Sequence, residues 1–426
     1  LQFLHEKARY LMMLLEHMDK LFYKTVVNGH LGMNSIVEYK QNLLKQWTSF
    51  SKTIPLGLLL SPITHLNLVR ENRHLEETHG FLQRKGKQEK AKHYKKNTSI
   101  DEQILSIKKF ETGQSNPTFL LKSDNKSFVL RSKPLGNLLR GAHRIDREYK
   151  VMSALSNSKI PTPKMYGYCS DEDITGSEFY VMEFINGAHE FDPDLTNYTS
   201  EQRDKIYKHK IKILAELVKL DLKKIGLENF GKPYGYLERQ IKLWIKQYRD
   251  SETKHIKSME YLINTIPKYV PTEIDNLKPC LLHGDFRLDN MILEKNKSIP
   301  RIIGLLDWEL STLSPPFIDL SYWVLMLRFE KTWPIGGLSN FNNQKFYSGI
   351  PTEEKILESY LNLTSLDKPK YWKFLLAFNC FRFAGILQGI AKRVIDGNNS
   401  GENAYEVGEQ AEPVADLGSK ILKEYL

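Results

Sequence analysis

The 426-residue sequence predicts an α+β protein of two lobes, in which a small antiparallel β-sheet precedes a mostly helical part. Strand-like segments are concentrated in residues 101–187, and the last of them, at 179–184, runs into a hinge. Helical patterns dominate residues 188–426, where segments 201–222 and 235–249 are amphipathic. These observations predict a sheet lobe ending at the hinge and a helical lobe after it.

An extra segment, residues 1–100, precedes the two lobes. Its apolar residues recur at helical spacing and predict a partly buried helix: Leu4, Leu11, Leu14, Leu15, Met18, Leu21 and Phe22. Residues 84–96 are basic and poor in apolar side chains, which is typical of a solvated linker. No chemistry is visible in this N-terminal helical extension, and its role stays open between a cap on the following lobe and the tail of a removed domain.

The composition gives little support for a nucleic-acid-binding protein. The net charge is +10, but no RNA-binding motif, zinc finger or aromatic-basic stripe accompanies it, and part of the excess lies in the linker. The three cysteines, Cys169, Cys280 and Cys380, are scattered without metal-ligand spacing. We therefore expect no nucleic-acid partner, no disulfide framework and no zinc site.

The sequence carries no recognisable membrane or export signal. No uninterrupted apolar run has the length of a membrane span, and the first residues do not resemble a signal peptide. The last residues are not the S-K-L peroxisomal address. We expect an intracellular protein, cytoplasmic by default, with mitochondrial or peroxisomal placement open because the sequence does not begin with Met.

The segment HGDFRLDN, residues 283–290, carries the pattern with the most chemical meaning. In protein kinases a catalytic-loop Asp accepts the proton of the acceptor hydroxyl, and an Asn five residues later holds a metal ion. Asp285 and Asn290 repeat that spacing. Asp307 follows the strand-like run 302–306, the place of a second metal-binding carboxylate. Capping or turn roles would explain an isolated Asp or Asn, but the ordered combination favours phosphoryl transfer.

These motifs also resemble a known family. HGDFRLDN with LLDWE is similar to the aminoglycoside phosphotransferase and choline kinase-like group, small-molecule relatives of protein kinases. Five further stretches resemble the subgroup associated with acyl-CoA dehydrogenases: GQSNPT at 113–118, VLR at 129–131, GAHRIDREY at 141–149, FYVMEF at 179–184 and DWELSTL at 307–313. The resemblance covers roughly residues 102 to 395 and implies a protein-kinase-like fold.

The sheet lobe is expected to bind the nucleotide phosphates. Segments 104–110 and 118–122 are strand-like, and the turn between them offers backbone amides from three residues: Gly113, Ser115 and Asn116. Arg131 occupies the position of the kinase β3 lysine, and Glu148 on the helical segment 145–155 is its matching acid. Lys133, two residues later, is a rival cation, and a surface ion pair is the alternative for Glu148.

Other binding residues are inferred less directly. By resemblance, backbone groups of Glu183 and Ile185 at the hinge bind the adenine edge. For the acceptor we select Arg287 in the catalytic loop, and Arg382 and Gln388 on the apolar helix 371–391. Arg382 lies among phenylalanines, so it needs an acid or an anionic ligand if it is buried.

Asp319 resembles a family aspartate near the catalytic loop. It follows the segment Pro-Pro-Phe-Ile, so capping of the next helix explains it equally well. We assign Asp319 a structural role.

The predicted function is an ATP- and Mg²⁺-dependent transfer of a phosphoryl group to a small-molecule hydroxyl, with Asp285 as base. The resemblance implies a CoA-linked acceptor such as a 4-hydroxyacyl-CoA, and an acyl-CoA dehydrogenase as partner in the same or a separate chain. A nucleotide-binding pseudokinase is the alternative, because Arg131 replaces the usual Lys. A protein kinase fits less well, because no A-P-E segment follows Asp307.

Overall fold

The computed structural model describes residues 99–100, 104–110, 116–134, 143–171, 177–339, 348–397 and 403–426. The predicted N-terminal helical extension and basic linker lie outside these residues, apart from residues 99 and 100. Gly113 and Ser115, two of the predicted phosphate-binding residues, also lie outside them.

The first lobe is a five-stranded antiparallel sheet with the strand order β1-β2-β3-β5-β4. Its elements are β1 (Ser106–Lys109), β2 (Thr118–Lys122), β3 (Ser127–Ser132), α1 (Ile145–Leu155), β4 (Met165–Cys169) and β5 (Phe179–Glu183). The sequence pattern predicts all of these except β4, whose central glycine and lack of clear alternation weaken the strand signal.

The two faces of this sheet pack against different cores, because successive side chains of a strand point to opposite sides. One face presents a first cluster that includes Leu121, Phe128, Leu130, Phe179 and Val181. The other face presents Val129, Tyr180 and Met182 to the main core, which α1 joins through Ile145, Val151, Met152 and Leu155. Arg131 is paired opposite Tyr180, so it lies on the face covered by α1.

The second lobe is mostly helical, as predicted. Its helices are α2 (Ser200–Lys219), α3 (Tyr236–Ser251), α4 (Lys257–Thr265), α5 (Ile318–Val324), α6 (Glu353–Thr364), α7 (Trp372–Ile395), α8 (Ala404–Glu409) and α9 (Ala411–Tyr425). Helix α7 lies at the centre and packs on α3, α5, α8 and α9. Its fully buried side chains include Phe374, Leu375, Phe378 and Phe381.

Helix α7 is long and strongly apolar, although Lys373, Asn379 and Arg382 interrupt its apolar run. In the described part of the chain it is the one helix long and apolar enough by composition to cross a membrane, with a mean hydropathy of 1.5 over its most apolar window. However, 78% of that window is buried inside the protein. Its apolar character therefore fits the core of the helical lobe.

Two small sheets hold the motif-bearing loops. Strand β7 (Cys280–Leu282) pairs with β10 (Thr312–Ser314), while β8 (Met291–Leu293) lies between β6 (Ala188–His189) and β9 (Ile302–Leu305). Both loops connect the same two sheets: residues 283–290 run from β7 to β8, and residues 306–311 run from β9 to β10. The fold thus brings HGDFRLDN and the DWE motif together.

Candidate active site

His283 anchors the start of the catalytic loop and is fully buried. Its Nε2 lies 2.9 Å from the carbonyl oxygen of Leu306, and its Nδ1 accepts a hydrogen bond from the Asp285 backbone N–H at 3.2 Å. Because a carbonyl only accepts, Nε2 carries the proton and Nδ1 does not. The ring therefore joins the catalytic loop to the loop that follows β9, and Trp308 packs against it with ring centroids 4.6 Å apart.

Asp319 fixes the backbone of the same loop through two hydrogen bonds. Its Oδ2 accepts from the His283 N–H at 2.7 Å, and its Oδ1 accepts from the Gly284 N–H at 3.0 Å. Helix capping, one of the two explanations that the sequence left open, does not apply, because the capping position of α5 is Phe317 and shows no side-chain cap. Burial raises the pKa of Asp319, although the two N–H donors oppose this shift. Its role is to fix the catalytic-loop backbone.

Gly284 is required by the conformation of this loop. Its φ is +91°, a region that side-chain-bearing residues rarely adopt. A Cβ at this position would lie 2.7 Å from the carbonyl oxygen of Leu310. The Gly284 carbonyl in turn accepts from Arg382 Nη2 at 2.7 Å. The peptide groups around Gly284 are therefore held from two sides, by Asp319 and by Arg382.

The Asp285 carboxylate lies at the centre of the site. Its Oδ2 accepts from Asn290 Nδ2 at 3.0 Å, and its Oδ1 accepts from the hydroxyl of Tyr322 at 3.1 Å. Arg287 Nε forms an ion pair with the same Oδ1 at 3.1 Å. These contacts orient a carboxylate that is about a quarter exposed. The geometry suits a base that positions an acceptor hydroxyl.

Asn290 and Asp307, the two predicted metal ligands, lie on adjacent loops. The N–H of Leu306 donates to the Asn290 carbonyl oxygen at 2.9 Å, which places the end of β9 beside the catalytic loop. Because Asn290 Nδ2 is committed to Asp285, its side-chain oxygen is the atom left for a metal ion. Asp307 has a φ of +64°, and its Oδ1 accepts from Arg131 Nη2 at 3.0 Å. The donors are the hard oxygens that Mg²⁺ prefers, and Asp307 already attracts a cationic group.

Arg131 is paired with one acid from each lobe, Glu148 and Asp307. Its Nε lies 3.2 Å from Glu148 Oε2, the predicted partner, and its Nη2 also reaches Asp307. Burial opposes the charge of Arg131, but Glu148, Tyr180 and Asp307 hold its pKa above the usual value. Burial raises the pKa of Glu148 to about 7, against the opposing effect of Arg131. The pair that the sequence predicts is thus present, and Glu148 is not a surface residue.

Lys133, the rival cation, has a different partner. It lies one residue beyond β3, and its Nζ is 3.5 Å from Glu178 Oε1. Its backbone N–H donates to the carbonyl of the same Glu178. The structure therefore brings Arg131, and not Lys133, to Asp307, the predicted metal-binding carboxylate.

Asn116 is the residue of the predicted phosphate-binding turn that the structure describes. Its side chain is held by contacts with two other side chains. Its Nδ2 donates to Glu309 Oε2 at 3.2 Å, and its Oδ1 lies 3.0 Å from His143 Nδ1. Burial raises the pKa of Glu309, and the neighbouring Asp307 adds to the shift. Asn116 therefore connects the sheet lobe to the DWE motif, a contact that the sequence analysis did not predict.

The two hinge residues lie at the end of β5, between the lobes, as expected. The backbone N–H of Glu183 donates to the Lys164 carbonyl at 2.8 Å, so this N–H is already used. Ile185 is partly buried, close to Gly304 of β9. Their role at an adenine edge stays a prediction.

The structure places two of the three predicted acceptor residues in the core. Arg382 is 5% exposed and donates to the catalytic-loop backbone, and it forms no ion pair with an acid among the described residues. Gln388 is 1% exposed, and its Nε2 donates to the Ser251 carbonyl and the Thr253 hydroxyl. The error arises because polar residues on an apolar helix can be satisfied by neighbouring backbone as well as by a ligand. Arg287, with a side chain 40% exposed, is the predicted acceptor residue that borders a cleft.

We call this the acceptor cleft because Arg287, a predicted acceptor residue, borders it. It has a volume of about 560 Å³, including its open mouth. Its polar lining includes Arg287, Asp289 and Tyr322, and its apolar lining includes Trp323, Met326, Phe329, Ile335 and Phe383. Sequence analysis missed Tyr322. The available signal was its position three residues after Asp319 on one helix, which places the two on neighbouring parts of the helix surface. The cleft thus combines a largely apolar surface with Arg287 and Tyr322, the two side chains that contact Oδ1 of Asp285.

Comparison with known proteins identifies the family. The model of the phosphotransferase enzyme family matches residues 106–352, more than half of the chain. The chain belongs to this phosphotransferase enzyme family. A crystal structure of a Ralstonia eutropha protein assigned as an aminoglycoside phosphotransferase is 36% identical, with a TM-score of 0.71, over 78% of this chain and 97% of that protein. This membership confirms the predicted kinase-like fold and the class of small-molecule phosphotransferase.

Two curated relatives are much longer than the matching region. Mouse acyl-CoA dehydrogenase family member 10 is 38% identical over 314 residues, which are 74% of this chain and 29% of the relative. Rat acyl-CoA dehydrogenase family member 11 is 36% identical over 324 residues, which are 76% of this chain and 41% of the relative. The match thus covers less than half of either relative, and it confirms the resemblance to the dehydrogenase-associated subgroup.

Proposed function

We propose that this phosphotransferase moves the γ-phosphoryl group of ATP, with Mg²⁺, to the hydroxyl of a hydroxyacyl-CoA, for which a 4-hydroxyacyl-CoA is the first candidate. The observation that carries the proposal is the adjacency of the two loops that bear Asp285, Asn290 and Asp307. Asn290 bonds to Asp285 directly, and the backbone bond between Leu306 and Asn290 sets Asp307 beside them. Phosphoryl transfer requires this set of a base and two metal ligands.

The chain's own residues supply binding, orientation and proton transfer. The Asn290 side-chain oxygen and the Asp307 carboxylate would hold Mg²⁺, which when bound neutralises charge developing on the phosphate oxygens. Arg131, held by Glu148, is placed to pair with the nucleotide phosphates. Asp285 receives the proton of the acceptor hydroxyl and acts mainly by positioning it for in-line attack.

The acceptor class rests on the cleft and on the relatives. The mostly apolar lining suits a hydrocarbon chain, and the partly exposed Arg287 side chain both lines the cleft and contacts Asp285. The names of the two curated relatives concern acyl-CoA dehydrogenases, which supports a CoA-linked substrate and a dehydrogenase partner. Phosphorylation would turn the hydroxyl into a better leaving group for a later elimination.

An acceptor panel tests this function. Purified protein is incubated with ATP and Mg²⁺, or with ATP and a chelator, and with hydroxyacyl-CoAs, their free hydroxy acids, choline or an aminoglycoside. We expect Mg²⁺-dependent release of ADP with the highest kcat/KM for a hydroxyacyl-CoA. The free acids should be poorer acceptors, because they lack binding energy from the CoA portion.

The other outcomes separate the alternatives. Turnover with choline or the aminoglycoside, and none with hydroxyacyl-CoAs, would contradict the proposed acceptor class. ATP binding without transfer to any acceptor would favour the nucleotide-binding scaffold, for which the replacement of the usual Lys by Arg131 is the supporting feature.

A further inference from the structure

The two oxygens of the Asp285 carboxylate have unequal surroundings. Oδ1 accepts the Tyr322 hydroxyl and is also in contact with Arg287 Nε, both at 3.1 Å. Oδ2 accepts from Asn290 Nδ2 at 3.0 Å. Each oxygen therefore accepts one hydrogen bond, but the Arg287 guanidinium also lies against Oδ1, although its Nε–H forms no hydrogen bond among the described residues. Since a carboxylate oxygen accepts about two hydrogen bonds, Oδ1 is the more crowded oxygen and Oδ2 has room for a further donor.

The Tyr322 hydroxyl is held in place by its own neighbours. The residue is 7% exposed, and its ring lies 6.0 Å from that of Phe383 and 5.0 Å from the Arg382 guanidinium. Arg382 is fixed in turn by its bond to the Gly284 carbonyl. Burial raises the pKa of Tyr322, so its hydroxyl keeps its proton at neutral pH and donates to Asp285.

Tyr322 and Arg287 both line the acceptor cleft and both contact Oδ1, so an acceptor in the cleft meets these two side chains next to that oxygen. We propose that Tyr322 is a positioning residue that, together with Arg287, occupies Oδ1 of Asp285 and so directs the acceptor hydroxyl to Oδ2. Oδ2 is the oxygen bonded to Asn290, on the side of the predicted metal ligands. This inference rests on the proposed transfer from ATP.

The transfer step is balanced as follows. The acceptor oxygen forms a bond to the γ-phosphorus while its proton moves to Oδ2 of Asp285. The bond from the γ-phosphorus to the bridging oxygen breaks, and ADP leaves with the electron pair. Tyr322 keeps its proton throughout, because its hydroxyl donates to the other oxygen.

The Tyr322→Phe variant tests this assignment, because it removes the hydroxyl and keeps the ring between Phe383 and Arg382. Tyr248→Phe is the matched control, since the Tyr248 hydroxyl is buried on α3 without a hydrogen-bond partner among the described residues. For both variants and the wild type, kcat, the KM of the acceptor, ATP affinity and melting temperature are measured. The amount of ADP formed is compared with the amount of acceptor phosphorylated.

We expect kcat of Tyr322→Phe to fall about tenfold or more, the effect of one hydrogen bond to a charged group. ATP affinity and melting temperature should stay near those of wild type. ADP formation should exceed acceptor phosphorylation in this variant, because the released Oδ1 can bind a water molecule that takes the phosphoryl group in place of the acceptor. The two amounts should stay equal in Tyr248→Phe and in wild type.

Three results would overturn the inference. The first is transfer by Tyr322→Phe within about twofold of wild type, with ADP and product formed equally. The second is a loss of kcat accompanied by losses of ATP affinity and melting temperature, while ADP and phosphorylated acceptor are still formed in equal amounts. That result would show that the Tyr322 hydroxyl has only a structural role. The third is the absence of transfer by wild type to every acceptor of the panel, in which case the proposed function fails first and the inference fails with it.

Discussion

Replacing Asp285 by Asn is expected to lower acceptor-dependent transfer by about a hundredfold to ten-thousandfold. The amide has no comparable affinity for the acceptor proton. Its oxygen can still accept from Tyr322, which bonds to Oδ1 in the wild type, while its NH₂ group would face Asn290. One hydrogen bond is lost, worth about 1 kcal/mol, so the melting temperature should change by only a few degrees. Steady-state kinetics and ATP titration check both parts.

Asp204→Asn provides the matched control for this substitution. Asp204 is a partly exposed aspartate on α2 whose Oδ2 pairs with Lys208 at 2.8 Å. A surface pair contributes little, so its transfer rate should equal that of wild type. Full transfer by Asp285→Asn would show that the base is assigned to the wrong residue.

Replacing Asp319 by Ala is expected to reduce both stability and transfer. The change leaves two buried N–H groups, of His283 and Gly284, without their acceptor. Each such loss costs about 1–3 kcal/mol, partly offset because a buried carboxylate no longer has to be desolvated. We expect the free energy of unfolding to fall by about 2–4 kcal/mol, and the transfer rate of the folded protein to fall as the loop carrying Asp285 loosens. Asp319→Asn keeps one acceptor oxygen and should give intermediate values.

Asp275→Ala separates stability from catalysis. Asp275 also accepts from a backbone N–H, that of Gly235 at 3.1 Å, just before α3. This control should lose stability but keep the transfer rate of the folded protein. Denaturant unfolding and kinetics at saturating ATP measure the two effects. If Asp319→Ala retained both stability and transfer, the loop would be held by other contacts.

The parts of the site set by local sequence could be predicted from it. The spacing of Asp285 and Asn290 is short, and one loop conformation between β7 and β8 brings them together. The pairing of Arg131 with Glu148 follows from the periodicity of β3 and the buried face of α1. Side chains on one face of a strand recur every two residues, and those on one face of a helix recur every three to four. A single sequence displays both periods.

Contacts between distant segments could not be predicted in the same way. Arg382 donates to Gly284 across 98 residues, and Asn116 donates to Glu309 across 193. Nothing in their immediate sequence distinguishes a side chain that supports the catalytic loop from one that binds a ligand. The acceptor assignment of Arg382 failed for this reason, and Tyr322 was missed because its role depends on how α5 packs beneath the loop.

The most direct test of the central claim is the destination of the γ-phosphoryl group in a single turnover. The protein is mixed with ATP labelled at the γ-phosphate, Mg²⁺ and the best acceptor of the panel, and the products are separated after quenching. We predict that the label appears on the hydroxyl of the small-molecule acceptor, and that Asp285→Asn abolishes this product. Label found on water or on protein, with none on the acceptor, would contradict the account.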